Sequence, residues 1–285
     1  MIDSEIKEKN CNITNNITIT NSNVKIGCCC GGESNNNNGN DCCDELEAER
    51  NRREFLEYLR EGGRYHNSVL RHVGNNANPM VVLPRERYAI ARRFMNMPDN
   101  WNDVSNRIIS VGNALQSGQS MANILSEGNI ISQESLRIVE KVDSVFAFVR
   151  NAINNENRAV NPLEFRDKIQ VIIEDIFRTD KVEYNKESDT TNEPGFMVGF
   201  CSLAVDSYSF WYDSAINEVD PWNEILGSID PPLIAAAPPK WLRKVGQALV
   251  AVGKDIIGYC DARKDENGVW DSIKEGAGES ATAFI

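Results

Sequence analysis

Residues 44–74 read DELEAERNRREFLEYLREGGRYHNSVLRHVG, and this stretch decides the fold class. Leu46, Phe55, Leu56 and Leu59 form one apolar stripe among Arg and Glu, with acidic residues leading, which predicts a helix starting at Asp44. The Gly62-Gly63 pair predicts its end, because glycine is costly inside a helix and favoured just past one. Tyr65, Val69, Leu70 and Val73 then predict a short second helix ending near Gly74. The following segment, NNANPMVVLP (75–84), reads as a loop or extended crossover bounded by Pro79 and Pro84.

Further along, the same periodicity predicts helices over 85–97, 101–118, 132–154 and 162–179. In the third, Leu136, Val139, Val142, Phe146 and Val149 share one face; the fourth opens on Pro162 and repeats through Phe165, Ile169, Ile172, Ile173 and Ile176. A polar loop over 180–195 is a candidate sub-boundary. Beyond it, four of the five tryptophans, Trp211, Trp222, Trp241 and Trp270, lie in a C-terminal block. There GFMVGFCSLAVDSYSFWYDSAINEV (195–219) is helical in pattern, and the two Pro pairs of 228–241 stiffen a connector. Trp241, Val245, Leu249, Val252, Ile256 and Cys260 form a second clean stripe, with Gly246, Ala251, Gly253 and Gly258 permitting close approach of another helix. The residues after Asp271 read as frayed. The expected fold is mainly α, an irregular multi-helix bundle over 44–285 behind a distinct tail over 1–43.

That tail holds eleven Asn and six of the eight Cys and no aromatic residue, so it cannot build a core of its own. Ile17/Ile19 and Val24/Ile26 alternate with polar residues around an Asn21–Asn23 turn, which predicts a short β-hairpin; a disordered Asn-rich leader is the alternative. An isolated hairpin is marginal in water, so this one calls for a partner surface. Cys28, Cys29, Cys30, Cys42 and Cys43 follow a C-C-C-x11-C-C pattern. Zinc prefers two spaced pairs, and adjacent side chains of an extended chain point apart, so a zinc site here is geometrically awkward. Exposed thiols, disulfides, lipidation or intermolecular cross-links are the other readings.

Thirty Lys and Arg stand against 42 Asp and Glu, a formal net charge of −12. The tail's three lysines against five carboxylates account for only two of those charges, so the body is acidic throughout. This works against nucleic acid as a partner. No apolar run reaches the ~20 residues of a membrane span. A basic start followed by an apolar segment is not visible, so the expectation is a cytoplasmic protein, with non-classical export as the alternative.

Motifs for nucleotide phosphates, dinucleotides and the hydrolase nucleophile elbow do not occur. His66 and His72 are six apart, about 240° around a helix, which rules out a shared i, i+4 metal site. A His-based mechanism would need Cys201 or Cys260 as nucleophile. Asp206 and Asp213, seven apart beside Tyr208 and Trp211, are a candidate acid–base pair for a glycoside or lipid-headgroup site. The plainer reading is a solvated acidic edge with Glu218 and Asp220, and it extends to Asp255 and Asp261. The catalytic candidates are therefore Asp206, Asp213 and His66, with no cofactor predicted.

Three segments, YHNSVLRHV (65–73), SYSFWYDS (207–214) and the small-residue helix from Trp241, together resemble a loose group of uncharacterised bacterial proteins. These carry a His-Asn-x-x-Leu segment, a Ser/Trp aromatic segment and such a helix in that order. The long Gly/Ala tail of that group is missing here. The resemblance implies no known activity; it implies bacterial origin with envelope or antagonism roles, and makes His66 and Asn67 positions of interest, Asn67 alternatively as a helix cap.

The functional expectation is a non-catalytic interaction or structural protein that self-associates or binds a protein partner through residues 1–43. The alternative is an exported, bacteriocin-like effector in which the Trp241 helix acts on membranes.

Overall fold

The computed structural model describes residues 41–228, 238–264 and 268–282. Over these the chain runs α1 (Asp41–Asn76), α2 (Pro84–Phe94), α3 (Trp101–Gln116), α4 (Met121–Glu127), α5 (Gln133–Glu156) and α6 (Pro162–Thr179). A two-stranded antiparallel hairpin follows, β1 (Tyr184–Asn185) and β2 (Thr190–Thr191), then α7 (Glu193–Ile216), α8 (Asn223–Ser228), α9 (Lys240–Lys264) and α10 (Val269–Ser280). The mainly α, multi-helix expectation is met. The tail hairpin over 17–26 and the cysteines 28–30 lie outside the described residues, as do the side chains of Cys42 and Cys43.

Two units divide the chain, 1–55 and 56–285. In the first, residues 46–54 form the outer turns of α1. All of their side chains but Arg52 are exposed, Leu46 included, and Arg50–Glu47 and Arg53–Glu49 pair at 3.4 and 3.6 Å along the helix.

The second unit is built around α9. From Leu242 to Ala262 every residue except Arg243, Gly246 and Val250 is buried. α7 and α10 make the broadest contacts with it, and α8, α3 and α5 complete the wrapping. α7 is buried over most of its length, with Glu193, Asp213 and Ile216 exposed, and α6 packs against it. Local chemistry starts these helices where the backbone N–H groups need acceptors. Ser120, Ser132, Asn161 and Asn192 each accept from the N–H three residues on, heading α4, α5, α6 and α7. α5 ends at Asn157 in the left-handed region, φ 50°.

Two expectations are overturned, both because tertiary contact outweighs local preference. The Gly62-Gly63 pair does not end a helix; α1 runs through it to Asn76. A Cβ at Gly62 would strike the Ile273 side chain, and one at Gly63 would overlap Asp206, coming 2.7 Å from its Cβ. The pair therefore lets α10 and α7 approach α1. Residues 272–280 are not frayed but form most of α10, buried along Ser272, Ile273 and 276–280. Gly276 makes this possible: a Cβ there would lie 2.8 Å from the Asp255 carbonyl oxygen, while its Cα sits 3.2 Å from the Cβ that Gly258 lacks. The small positions of α9 thus serve close helix packing, as their spacing predicts. The short helices α4 and α8 have too few turns for periodicity to reveal.

Candidate functional site

The side chains with the most chemical potential meet where α1, α7, α9 and α10 converge. Asp255 of α9 is fully buried, and so are His66 of α1 and Ser207 and Trp211 of α7. Asp255 Oδ2 accepts from the Ser207 hydroxyl and, at 3.0 Å, from Trp211 Nε1–H. His66 Nε2 lies 3.4 Å from the same oxygen. Burial pushes the Asp255 carboxyl up, opposed by His66 and by the hydrogen bonds of Ser207, Ser280 and Trp211. The residue types are those of a hydrolytic triad, but the order is wrong. In a triad the imidazole stands between serine and carboxylate and takes the serine proton. Here the carboxylate itself accepts from Ser207, and His66 faces the carboxylate through Nε2 and Asn67 through Nδ1, not the hydroxyl. The imidazole is not placed to take the Ser207 proton, and the cluster ties α1, α7 and α9 together.

A second buried ionic group continues along α9 and α10. Arg107 of α3 pairs with Glu279 and, through Nε at 3.2 Å, with Asp261. Arg92 of α2 donates to Glu275 at 2.6 Å and to the Pro98 carbonyl at 2.8 Å. Lys254 donates to the Thr282 carbonyl and hydroxyl at 3.3 and 3.4 Å. Burial lowers Lys254 to about 8, against the pull of Glu279 and Asp255. Burial likewise raises Glu279 to about 7, with Arg107 opposing and Asp261 and Glu275 adding to the rise. Asp255 and Asp261 are therefore not a solvated edge; they are 0% and 2% exposed. A charge in such a place persists only with partners at hand, and the cations of α2, α3 and α9 supply them.

The Asp206/Asp213 pair is not assembled into a site. Asp206 is half-buried over Gly63, its carboxyl pushed up by burial to about 7, with Arg64 and Arg60 opposing. Asp213 is exposed, its carboxyl raised by burial and held down by Arg71. Seven helical residues separate the two by ~10 Å of rise, and each faces a different turn of α1. Asn67 is no helix cap. It lies inside α1, where its Nδ2 donates to the Asp206 carbonyl at 3.0 Å and its Oδ1 sits 3.1 Å from His66 Nδ1. Cys201 and Cys260 are free and fully buried, and burial raises both thiols, Cys201 to about 12. Neither is a thiolate at neutral pH. Among the described residues no group of three or more His, Cys, Asp or Glu side chains is placed to hold a metal ion.

On the surface, six partly exposed rings run in a continuous row. Tyr184 and Tyr58 lie 5.2 Å apart, Tyr58 and Trp270 5.7 Å, and Trp270 and Tyr65 5.3 Å. Tyr65 and Phe94 follow at 6.4 Å, then Phe94 and His72 at 4.3 Å. Tyr58, Tyr65 and His72 are seven apart in sequence, so α1 supplies the spine of the row; that spacing is the signal that could have revealed it.

Compared with known proteins, the chain matches no family model, no curated protein and no solved structure. No described helix is long and apolar enough to cross a membrane.

Proposed function

We propose that the protein is a non-catalytic interaction or structural protein, in which a rigid helical body is assembled or tethered through the N-terminal segment 1–43. The observation that carries this reading is the enclosure of His66, Ser207 and Asp255, with the carboxylate and not the imidazole at the serine hydroxyl. Two further features support it. The first turns of α1 over 46–54 are mostly charged, exposed and linked by their own ion pairs, the character of a solvated surface and not of a core helix. The row of half-exposed rings has the composition of a recognition surface, since aromatic residues supply much of the binding energy where proteins meet. The alternative, membrane action by the Trp241 helix, draws less support: α9 is the most enclosed helix described and carries Lys254, Asp255 and Asp261 inside.

Deleting residues 1–43 tests the reading. The expected result by size-exclusion chromatography with light scattering is loss of assembly, with helical circular dichroism and melting unchanged. Assembly that survives the deletion overturns the role given to the tail.

A further inference from the structure

Asp189, in the turn of the β1–β2 hairpin, sits in the left-handed region at φ 53° and reaches two helices. Its Oδ2 accepts from the Trp270 backbone N–H at 2.8 Å, and its carbonyl accepts from Val269 N at 3.1 Å, so it satisfies the first turn of α10 from another element. Its Oδ1 accepts from the Tyr58 hydroxyl of α1 at 2.6 Å. Gly268 permits this approach, because a Cβ there would lie 2.8 Å from the Asp189 carbonyl oxygen. One carboxylate thus fixes the Tyr58 phenol and the backbone that carries the Trp270 indole. The two rings stand 5.7 Å apart, with Tyr65 5.3 Å from Trp270 on the same row. All three are half-buried, so molecules in solution reach them.

These contacts are the ones a one-electron oxidation requires. An indole can lose an electron and keep its proton. A phenol radical cation is so strong an acid that a tyrosine gives up its electron only as its proton leaves. Burial, and after it the hydrogen bond to Asp189, pushes the Tyr58 hydroxyl well above its ordinary range, so it stays protonated at neutral pH and its oxidation needs a proton acceptor at hand. The 2.6 Å contact to Asp189 is of charge-assisted length and within reach for proton transfer. We propose that Tyr58 and Asp189 form a proton-coupled electron-donor site, which takes oxidising equivalents from Trp270 and holds them as a surface tyrosyl radical.

The oxidant is a diffusing one-electron acceptor, the carbonate radical anion being the simplest of the class. It takes an electron from the Trp270 indole and leaves as carbonate, and the indole becomes a radical cation. An electron then passes from Tyr58 to Trp270 while the Tyr58 proton moves to Asp189 Oδ1. The products are a neutral indole, a neutral tyrosyl radical and a protonated Asp189; only the Tyr58 O–H bond breaks, and charge balances. Electron tunnelling weakens exponentially with distance, so rings in contact exchange the electron before the oxidised chain meets another molecule. Tyr65 is as near to Trp270 as Tyr58 is, but among the described residues no carboxylate accepts from its hydroxyl. The proton acceptor therefore selects Tyr58. This site is independent of the tail, and variants in it leave the tail reading untouched.

The test is pulse radiolysis of the full-length protein in bicarbonate, which generates the carbonate radical anion, with the indole and tyrosyl radicals followed by their separate absorption bands. The expected result is decay of the indole radical at a rate independent of protein concentration and of added phosphate, matched by growth of the tyrosyl band. Tyr58→Phe keeps the ring and both Asp189 contacts with α10, and should remove most of that growth. Asp189→Asn should slow the transfer by about tenfold or more, as loss of a positioned base does. Growth undiminished in Tyr58→Phe overturns the proposal, and so does indole decay that depends on protein concentration. Transfer at the parent rate in a folded Asp189→Asn also overturns it. Should that variant lose its circular dichroism, the phosphate titration of the parent decides: acceleration by phosphate means that the proton leaves to solution, and the site is overturned.

Discussion

The outer turns of α1 and the core around α9 use the same residue types in opposite settings. Along α1, Arg50–Glu47 and Arg53–Glu49 pair at 3.4 and 3.6 Å with both partners in water. Around α9, the Asp255 carboxylate, the Lys254 ammonium and the Glu279 carboxyl are shut inside helix contacts. Exposed pairs contribute little, since water screens them and two long side chains must be ordered. Enclosed ions contribute mainly through what happens when a partner is removed, because the remaining group cannot find water. Ionic residues alone therefore do not tell a solvated spacer from the tie that sets helix register.

The sharpest way to break this comparison is to delete one carboxylate or one guanidinium and unfold the protein in urea. Asp255→Ala strands the Ser207 hydroxyl, the Trp211 N–H and His66 together and should cost ~3–5 kcal/mol, whereas Arg50→Ala should cost under ~0.5 kcal/mol. Equal effects would mean that the buried cluster is not a structural tie.

Gly63→Ala sharpens it further, because helix propensity and packing predict opposite signs. Propensity favours alanine by up to ~1 kcal/mol, but the added Cβ meets the Asp206 side chain, and overpacking should leave a net loss of ~1–3 kcal/mol. Shortening Asp206 to Ala in the same chain should recover part of it.

The smallest effect concerns pH. The Asp206 carboxyl holds its proton more tightly folded than unfolded, its value raised to about 7. The folded state thus binds more protons between about pH 4 and 7, and stability falls as pH rises through that window. Glu279, also raised to about 7, adds in the same direction. Asp206→Asn should leave stability to urea unchanged at pH 4 and raise it at pH 8 by no more than ~1 kcal/mol, since Asp206 is half-buried and partly screened. The Glu279 share of the slope should remain.

Much of the helical plan is legible from periodicity. α6 begins and ends as Pro162 and Ile169 through Ile176 indicate, and α3, α5, α7 and α9 lie within a few residues of their expected bounds. The candidate site is only half legible. His66 and the segment holding Ser207 and Trp211 are conspicuous in the sequence, but their meeting point, Asp255, looks like any carboxylate of an acidic chain. Nothing within a few residues of Asp255 distinguishes it from Asp213, and yet one is enclosed and the other faces water.

Helix starts at Ser132, Asn161 and Asn192, the acidic balance and the compositional break near residue 44 follow from residues within a turn or two of each other, where side chain and backbone settle the outcome locally. The long-range contacts decided the rest. Gly62-Gly63 continues a helix because Ile273 and Asp206 occupy the space a side chain would need, and 272–280 is ordered because Gly276 and Gly258 let it lie against α9. Asp255 became the hub of a buried cluster because two other helices, α7 and α1, brought hydroxyl, indole and imidazole groups to it. Such outcomes depend on which surfaces exclude water, and that is a property of the packed bundle.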